Sequence, residues 1–411
     1  MDLVTEAAEI SLVAAAMAKS PIVAFDLEFA SAERLTPLLC LLQVAWVDEE
    51  QHRMLDAPIK AIVAPRLAAI EPHARLLDPI RGDVAPIVAV LAAHPCVIAH
   101  APRQDLALLA TRFGLSAMPG LIDTQLMAAF AGLGDQIGLA TLANELLGTN
   151  LGKDQQWTAW ERRPLTSAQL SYAASDVRYL HALYTLLAAK LGPKLAWARE
   201  ESQEILLDAL AAAAVTPETA WEQLGGVRSL DPIAQAGVRA LAEWRQLTAI
   251  ELDRPLGQVL ADRNLIDLAR NRPRDANDVR AHKGIAPVAK SRADQILVAL
   301  AGAAPDPAAR TGPPPRSASP RAQRWAEMLL AIAHVIADEA QLAPRLLATR
   351  GDAEHFARVA DEHGLAATAG LPARSTWRAE MLGSAWHGWL AGTVAIVGNA
   401  ESVRGVQLER T

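Results

Sequence analysis

Short, unbroken apolar runs and amphipathic stretches take turns through roughly the first 195 of the 411 residues. Pro21 to Leu27, Leu38 to Trp46 and Cys96 to His100 are apolar runs of strand length, which predicts buried strands. Asp83 to Ala93, Gln104 to Phe113, Asp123 to Phe130 and Thr166 to Leu187 carry the helical period instead. Alternation of this kind implies a layered α/β structure. Beyond Leu195 the strand signals stop, and 196–300 reads as helix after helix, broken at Gly225-Gly226 and around Pro273. The stretch 303–322 contains Pro305, Pro307, Pro313, Pro314, Pro315 and Pro320 and cannot carry a continuous hydrogen-bond ladder. It predicts an extended linker on which the following module can swing. Gln323 to Leu346 and Asp352 to His363 are helical again, and the last dozen or so residues show no period. The expected division is 1–200, 201–302, the linker 303–322, and 323–411.

Composition narrows the class. At 51% hydrophobic and 21% charged the chain is an ordinary globular one, and two cysteines, Cys40 and Cys96, cannot build a disulfide framework or a cysteine zinc site. No run reaches the ~18 uninterrupted apolar residues of a membrane span, and Met1 to Glu6 lacks the features of a secretion signal. The expectation is a cytoplasmic protein with no membrane partner, acting as a monomer. A formal charge of −7 argues mildly against nucleic acid as a partner. The segment from Arg263 to Arg292 runs the other way, with eight basic residues against three acidic ones. It is either a solvated helical face or an edge that contacts phosphates, through residues such as Arg272 and Arg274.

Candidate chemistry lies in the acids of the first 200 residues. Asp26 and Glu28 stand two apart at the end of the first strand, so both carboxylates leave from one face. Asp105 opens the helix after the third strand, a position the helix dipole alone would favour. Tyr172 and Asp176 are four apart on a helix and share a face, and the chain has only three tyrosines. Four carboxylates are hard oxygen donors that suit Mg²⁺ or Mn²⁺ rather than zinc. Two such ions would stabilise the attacking and leaving oxygens of a phosphodiester displacement.

Phe25-Asp26-Leu27-Glu28-Phe29, His100 to Leu106 and Tyr172 to Val177 resemble the three exonuclease motifs of the DEDD superfamily. The Tyr-x3-Asp spacing resembles its tyrosine subclass; the histidine subclass would place His where Ser171 stands. Ile122 to Gln125, Leu151 to Trp157 and Arg163-Pro164-Leu165-Thr166 are similar to the ribonuclease D family in particular. Trp221, Leu241 to Arg245, Asp253-Arg254-Pro255 and Leu268-Ala269 resemble the HRDC domain, and Thr376 to Gly383 its second, HRDC-like copy. The resemblance implies an α/β ribonuclease H-like exonuclease domain, a mixed sheet flanked by helices, followed by two all-α HRDC-like modules. It implies a 3′→5′ exoribonuclease that trims tRNA precursors or other small structured RNAs with a single-stranded 3′ end, releasing 5′-mononucleotides. In that scheme Asp26 bridges two divalent metals, Glu28 shares metal and 3′-end binding, Asp105 holds the second metal partly through water, Asp176 completes the first, and Tyr172 orients the attacking water. The four acids account for −4 of the net charge, which two divalent ions would formally cancel. The alternatives are a 3′→5′ DNA exonuclease and a catalytically silent RNA-binding scaffold.

Other residues stay open. Lys153 either approaches a substrate phosphate or is a solvated loop residue, and Trp157 and Trp160 suit packing better than base stacking. Phe29 is either a wedge beside a terminal base or a core residue, and Asp123 either supports the metal ligands from behind or caps the next helix. Asp48 to Leu77, with a helical segment from Ile59 to Ile70, reads as a surface insertion near the substrate entrance.

Overall fold

Six strands form one mixed sheet: β1 (Leu3–Val4), β2 (Val23–Ala30), β3 (Leu38–Trp46), β4 (His73–Leu77), β5 (Val97–Ala99) and β6 (Leu121–Asp123). The strand order is β1-β4-β3-β2-β5-β6. β1 is parallel to β4, β4 antiparallel to β3, and β2, β5 and β6 are mutually parallel. Every residue from Leu39 to Trp46 is buried, because helices cover both faces and leave no polar side to alternate with. The computed structural model describes residues 3–55, 67–152, 158–305, 318–371, 376–401 and 405–410. By its contacts the chain divides into two units, Met1–Glu28 with Leu41–Ala209 and Ser317–Thr411, and Phe29–Cys40 with Leu210–Arg316.

In the first unit the strands are joined or flanked by α1 (Ala7–Met17), α2 (Glu49–Leu55), α3 (Ala85–Ala93), α4 (Arg103–Phe113), α5 (Thr124–Phe130), α6 (Leu139–Leu147), α7 (Ser167–Arg178), α8 (Leu180–Leu191) and α9 (Leu195–Ala213). Ile22, Ala24, Ala45, Val47, Ile98 and Ile122 pack in one core with Val177, Leu180 and Leu183. The alternate residues of the same strands, such as Val23 and Phe25, are absent from that core. Strand alternation therefore turns Asp26 and Glu28, two and four residues beyond Ala24, toward the side of the sheet where α7 lies.

The second unit has its own core, built from Leu241, Ala242, Leu265, Leu268 and Ile296 of α10 (Pro232–Leu252), α11 (Asp262–Asn271) and α12 (Ala293–Gly302). Asp231 caps α10 by accepting the N–H groups of Ile233 and Ala234. The segment 29–40 belongs here by its contacts: Arg34 pairs with Asp253 at 3.3 Å, and Gln258 donates to the Ala32 carbonyl. Among the described residues no helix is long and apolar enough to cross a membrane.

Four expectations change. The supposed insertion from Asp48 to Leu77 ends in β4, an internal strand whose Ala74, Leu76 and Leu77 are buried; residues 56–66 lie outside the described part. The helix expected from Thr166 to Leu187 is two helices meeting at Tyr179, since the apolar period runs through the break unmarked. The C-terminal helices α13 (Pro320–Glu339) and α14 (Arg350–His363) share the core of the first unit rather than forming one of their own; residues 306–317 of the expected linker 303–322 lie outside the described part. Trp377 stacks on Trp197 at 5.6 Å and meets Phe130 edge-on at 5.0 Å, while its indole N–H and Arg378 both donate to Glu201. The module expected to be all helical also closes with a hairpin, β7 (Val394–Gly398) and β8 (Val406–Arg410).

Candidate active site

The site is assembled from three elements. β2 delivers Asp26 and Glu28, the first turn of α4 delivers Asp105, and α7 delivers Tyr172 and Asp176. α7 starts with a capping box in which Thr166 and Gln169 satisfy each other's backbone N–H groups, so its start is fixed by local chemistry. The loop into α4 is held from behind. Asp123 accepts the N–H of Ala101 at 2.9 Å and, as the cap of α5, that of Gln125 at 2.7 Å. Ala101 has φ of +53°, an uncommon conformation for alanine beside a site that needs Asp105 in one place. The His100 ring spans the Ile137 carbonyl at 3.0 Å and the Thr124 hydroxyl at 2.9 Å. Burial lowers its pKa to about 4, so it is a neutral strut. Of its two expected roles Asp123 fills the cap of α5, and its bond to Ala101 also ties down the loop that leads into α4.

Oxygen atoms of Asp26, Glu28 and Asp176 lie within 4.8 Å of one another. No cation among the described residues neutralises them, and the pKa directions follow. Burial, then repulsion from Asp26, Asp176 and Asp105, pushes Glu28 up to about 10. Burial first, then neighbouring carboxylates, also raises Asp176 and Asp105, and burial raises Asp26. Asp123 is pushed up to about 6 by burial against the N–H groups of Ala101 and Gln125. Asp105 stands outside the three-acid cluster but feels Asp26 more strongly than any other charged neighbour. Tyr172 is half-buried, and burial with repulsion from Asp176, Glu28 and Asp26 raises its phenol far above neutrality. Four oxygen-donor carboxylates crowded without a counter-charge fit a hard divalent cation.

The remaining candidates are scattered. Lys153 and Trp157 lie outside the described residues; Trp160 is 2% exposed and packs with its ring centroid 6.2 Å from that of Tyr172. Phe29 falls in the second unit. There Arg272 ends α11 with φ of +49° and pairs with Asp231 at 3.4 Å, while Arg274 has no ion-pair partner among the described residues. Of the eight cations from Arg263 to Arg292, Arg263, Arg272, Arg280 and Arg292 are engaged with acids, so the local positive field is weaker than the count. Sequence reasoning did not single out Asp78 or its partner Arg163. The one signal was Arg163-Pro164, already part of a family motif.

A family model described as a 3′-5′ exonuclease matches residues 1–192, and one described as an HRDC domain matches residues 234–300. The chain is 30% identical to a ribonuclease D of Granulibacter bethesdensis over 391 residues, 93% of this chain and 90% of that protein. It is 31% identical to one of Acidiphilium cryptum, covering 95% and 93%. Its fold matches the crystal structure of Escherichia coli RNase D, described as an exoribonuclease involved in structured RNA processing. That match has a TM-score of 0.77 at 24% identity, over 95% of this chain and 98% of that one.

Proposed function

The chain belongs to the ribonuclease D family and is a 3′→5′ exoribonuclease; from that premise we propose that Asp26, Glu28, Asp105, Asp176 and Tyr172 are its catalytic residues. What carries the reading is the convergence of three uncompensated carboxylates from β2 and α7, with Asp105 and Tyr172 beside them. The four acids would hold two divalent cations, Mg²⁺ or Mn²⁺. Such ions supply a Lewis acid that lowers the pKa of the attacking water and offsets charge on the scissile phosphate.

Tyr172 stays protonated at neutral pH and therefore orients that water by hydrogen bonding instead of taking its proton. The water gives up a proton to solvent and its oxygen bonds to phosphorus, the bond to the 3′ oxygen of the preceding nucleotide breaks, that oxygen takes up a proton from solvent, and a 5′-mononucleotide leaves. The substrates are tRNA precursors or other small structured RNAs with a single-stranded 3′ end. Catalysis belongs to residues 1–200, and RNA contacts to Phe29, Lys153 and the HRDC region 201–302 through Arg272 and Arg274. The protein acts as a monomer in the cytoplasm.

The test incubates a 5′-labelled RNA and the matching DNA with Mg²⁺ or Mn²⁺, comparing wild type with Asp26→Asn. A ladder of shortened RNA made by wild type and lost in the variant is expected. A ladder unchanged by the substitution overturns the site assignment, and shortening of DNA in preference to RNA overturns the substrate.

A further inference from the structure

A buried ion pair joins the end of β4 to the segment that leads into α7. The Asp78 side chain has no solvent exposure and that of Arg163 has 9%. Arg163 donates from Nε to Asp78 Oδ2 at 2.6 Å and from Nη2 to Oδ1 at 2.8 Å, a two-pronged contact that fixes plane as well as distance. Its Nη1 donates to the carbonyls of Trp160 at 2.7 Å and Arg162 at 2.8 Å. Asp78 is itself anchored to the sheet: its N–H donates to the Val4 carbonyl, and its Oδ1 accepts the Ile80 N–H.

The segment from Thr158 to Thr166 is fastened at its other end too. Thr166 is the cap of α7, and Gln169 Nε2 reaches back to the Thr158 hydroxyl at 3.0 Å. Trp160 lies between these ties, with its ring tilted 40° against that of Tyr172. Neither Asp78 nor Arg163 belongs to the acidic cluster.

We propose that Asp78 and Arg163 are positioning residues for Tyr172: the pair fixes the 158–166 segment, the segment fixes the Trp160 ring, and the ring fixes the phenol. The inference rests on Tyr172 being catalytic. Both metal-binding acids of β2 are held by the sheet itself and do not need this segment. Tyr172 and Asp176 both stand on α7, but Asp176 lies one turn further from its start, and of the two Tyr172 is the one whose ring packs against Trp160; an ångström of drift there is enough to spoil in-line attack.

The experiment is a set of double-mutant cycles. Asp78→Asn, Arg163→Lys and Trp160→Phe are each made alone and on a Tyr172→Phe background. For each, kcat and KM for a short RNA, Mn²⁺ affinity by calorimetry and the circular dichroism spectrum are measured. Each single variant should lower kcat at least ~10-fold, with KM and Mn²⁺ affinity within about 3-fold of wild type. On the Tyr172→Phe background the further loss should nearly vanish. Losses that multiply through, or Mn²⁺ affinity that falls in step with kcat, overturn the proposal. Should Asp78→Asn fail to fold, Arg163→Lys and Trp160→Phe decide the matter by the same criteria. If Tyr172→Phe alone leaves kcat unchanged, the assignment of Tyr172 falls and takes this role with it. If Tyr172→Phe lowers kcat and the losses still multiply, only the positioning role falls.

Discussion

Two sets of carboxylates in the first unit, the fully buried Asp78 and the half-buried Asp26, Glu28 and Asp176, meet opposite fates. Asp78 is buried, which alone would raise its pKa, yet the Arg163 fork and the Ile80 N–H hold it below the ordinary carboxylate value. Asp26, Glu28 and Asp176 have no such partner; burial drives all three up, and repulsion from neighbouring carboxylates adds to it at Glu28 and Asp176. The difference is the counter-charge, not the depth. Where the chain supplies its own cation, the acid fastens one segment to another. Where it supplies none, the strain persists until a cation arrives from solution.

Substitution should separate the two sets most sharply. Asp26→Asn should cost about 10²–10³-fold or more in kcat, as losing a charge-stabilising group at the reacting centre does, and yet raise the melting temperature of the metal-free protein. Paired rate and melting measurements check this; a variant both inactive and destabilised would make Asp26 a structural acid. Asp78→Ala should do the reverse to stability, costing roughly 3–5 kcal/mol by leaving Arg163 buried and unpaired. Urea denaturation reads that figure, and a loss under about 1 kcal/mol would reduce the pair to an ordinary surface bridge.

The pH dependence follows from the same contrast. The cluster acids have folded pKa values above the ~4 of an unfolded chain, so between those values the folded state retains protons that the unfolded state has lost. Metal-free stability should therefore fall as pH rises from about 4 toward the value of about 10 at Glu28. Asp78, with its lowered pKa, contributes stability that is complete above ~4 and lost only as pH falls through its folded value. Melting curves of metal-free wild type and Asp26→Asn between pH 5 and 9, about the range where proteins are most stable, should converge at the acid end. Curves that stay parallel would show that Asp26 is not strained. The smallest effect concerns the second unit. Reversing Arg272 and Arg274 should weaken RNA binding and flatten its dependence on salt, as filter binding at two or more ionic strengths would measure. An unchanged slope would leave these two as solvated residues.

Legibility in the sequence tracked the range of the interaction. β2 and β3 announced themselves because they are long, eight and nine residues, and mostly apolar. β1 and β6 have two and three residues, too short for any period to show, and their pairing supplies what their sequence lacks. β4 was hidden because His73 and Arg75 put polar side chains on a strand whose buried residues are only Ala74, Leu76 and Leu77. The acidic pairs were readable because two residues on a strand and four on a helix share a face. The tie between Asp78 and Arg163 spans 85 residues and leaves no local trace, as does the Trp377 contact that joins the C-terminal helices to the catalytic core. Both follow only once the sheet exists.

The cluster of acids is left without a partner so that a divalent cation can supply one. Calorimetric titration of Mn²⁺ into metal-free wild type and Asp26→Asn measures this most directly. Wild type should bind saturably, with release of protons that grows as pH falls toward neutrality from the value of about 10 at Glu28, and Asp26→Asn should lose most of that binding. Equal Mn²⁺ binding by the two proteins, or none by wild type, would contradict it.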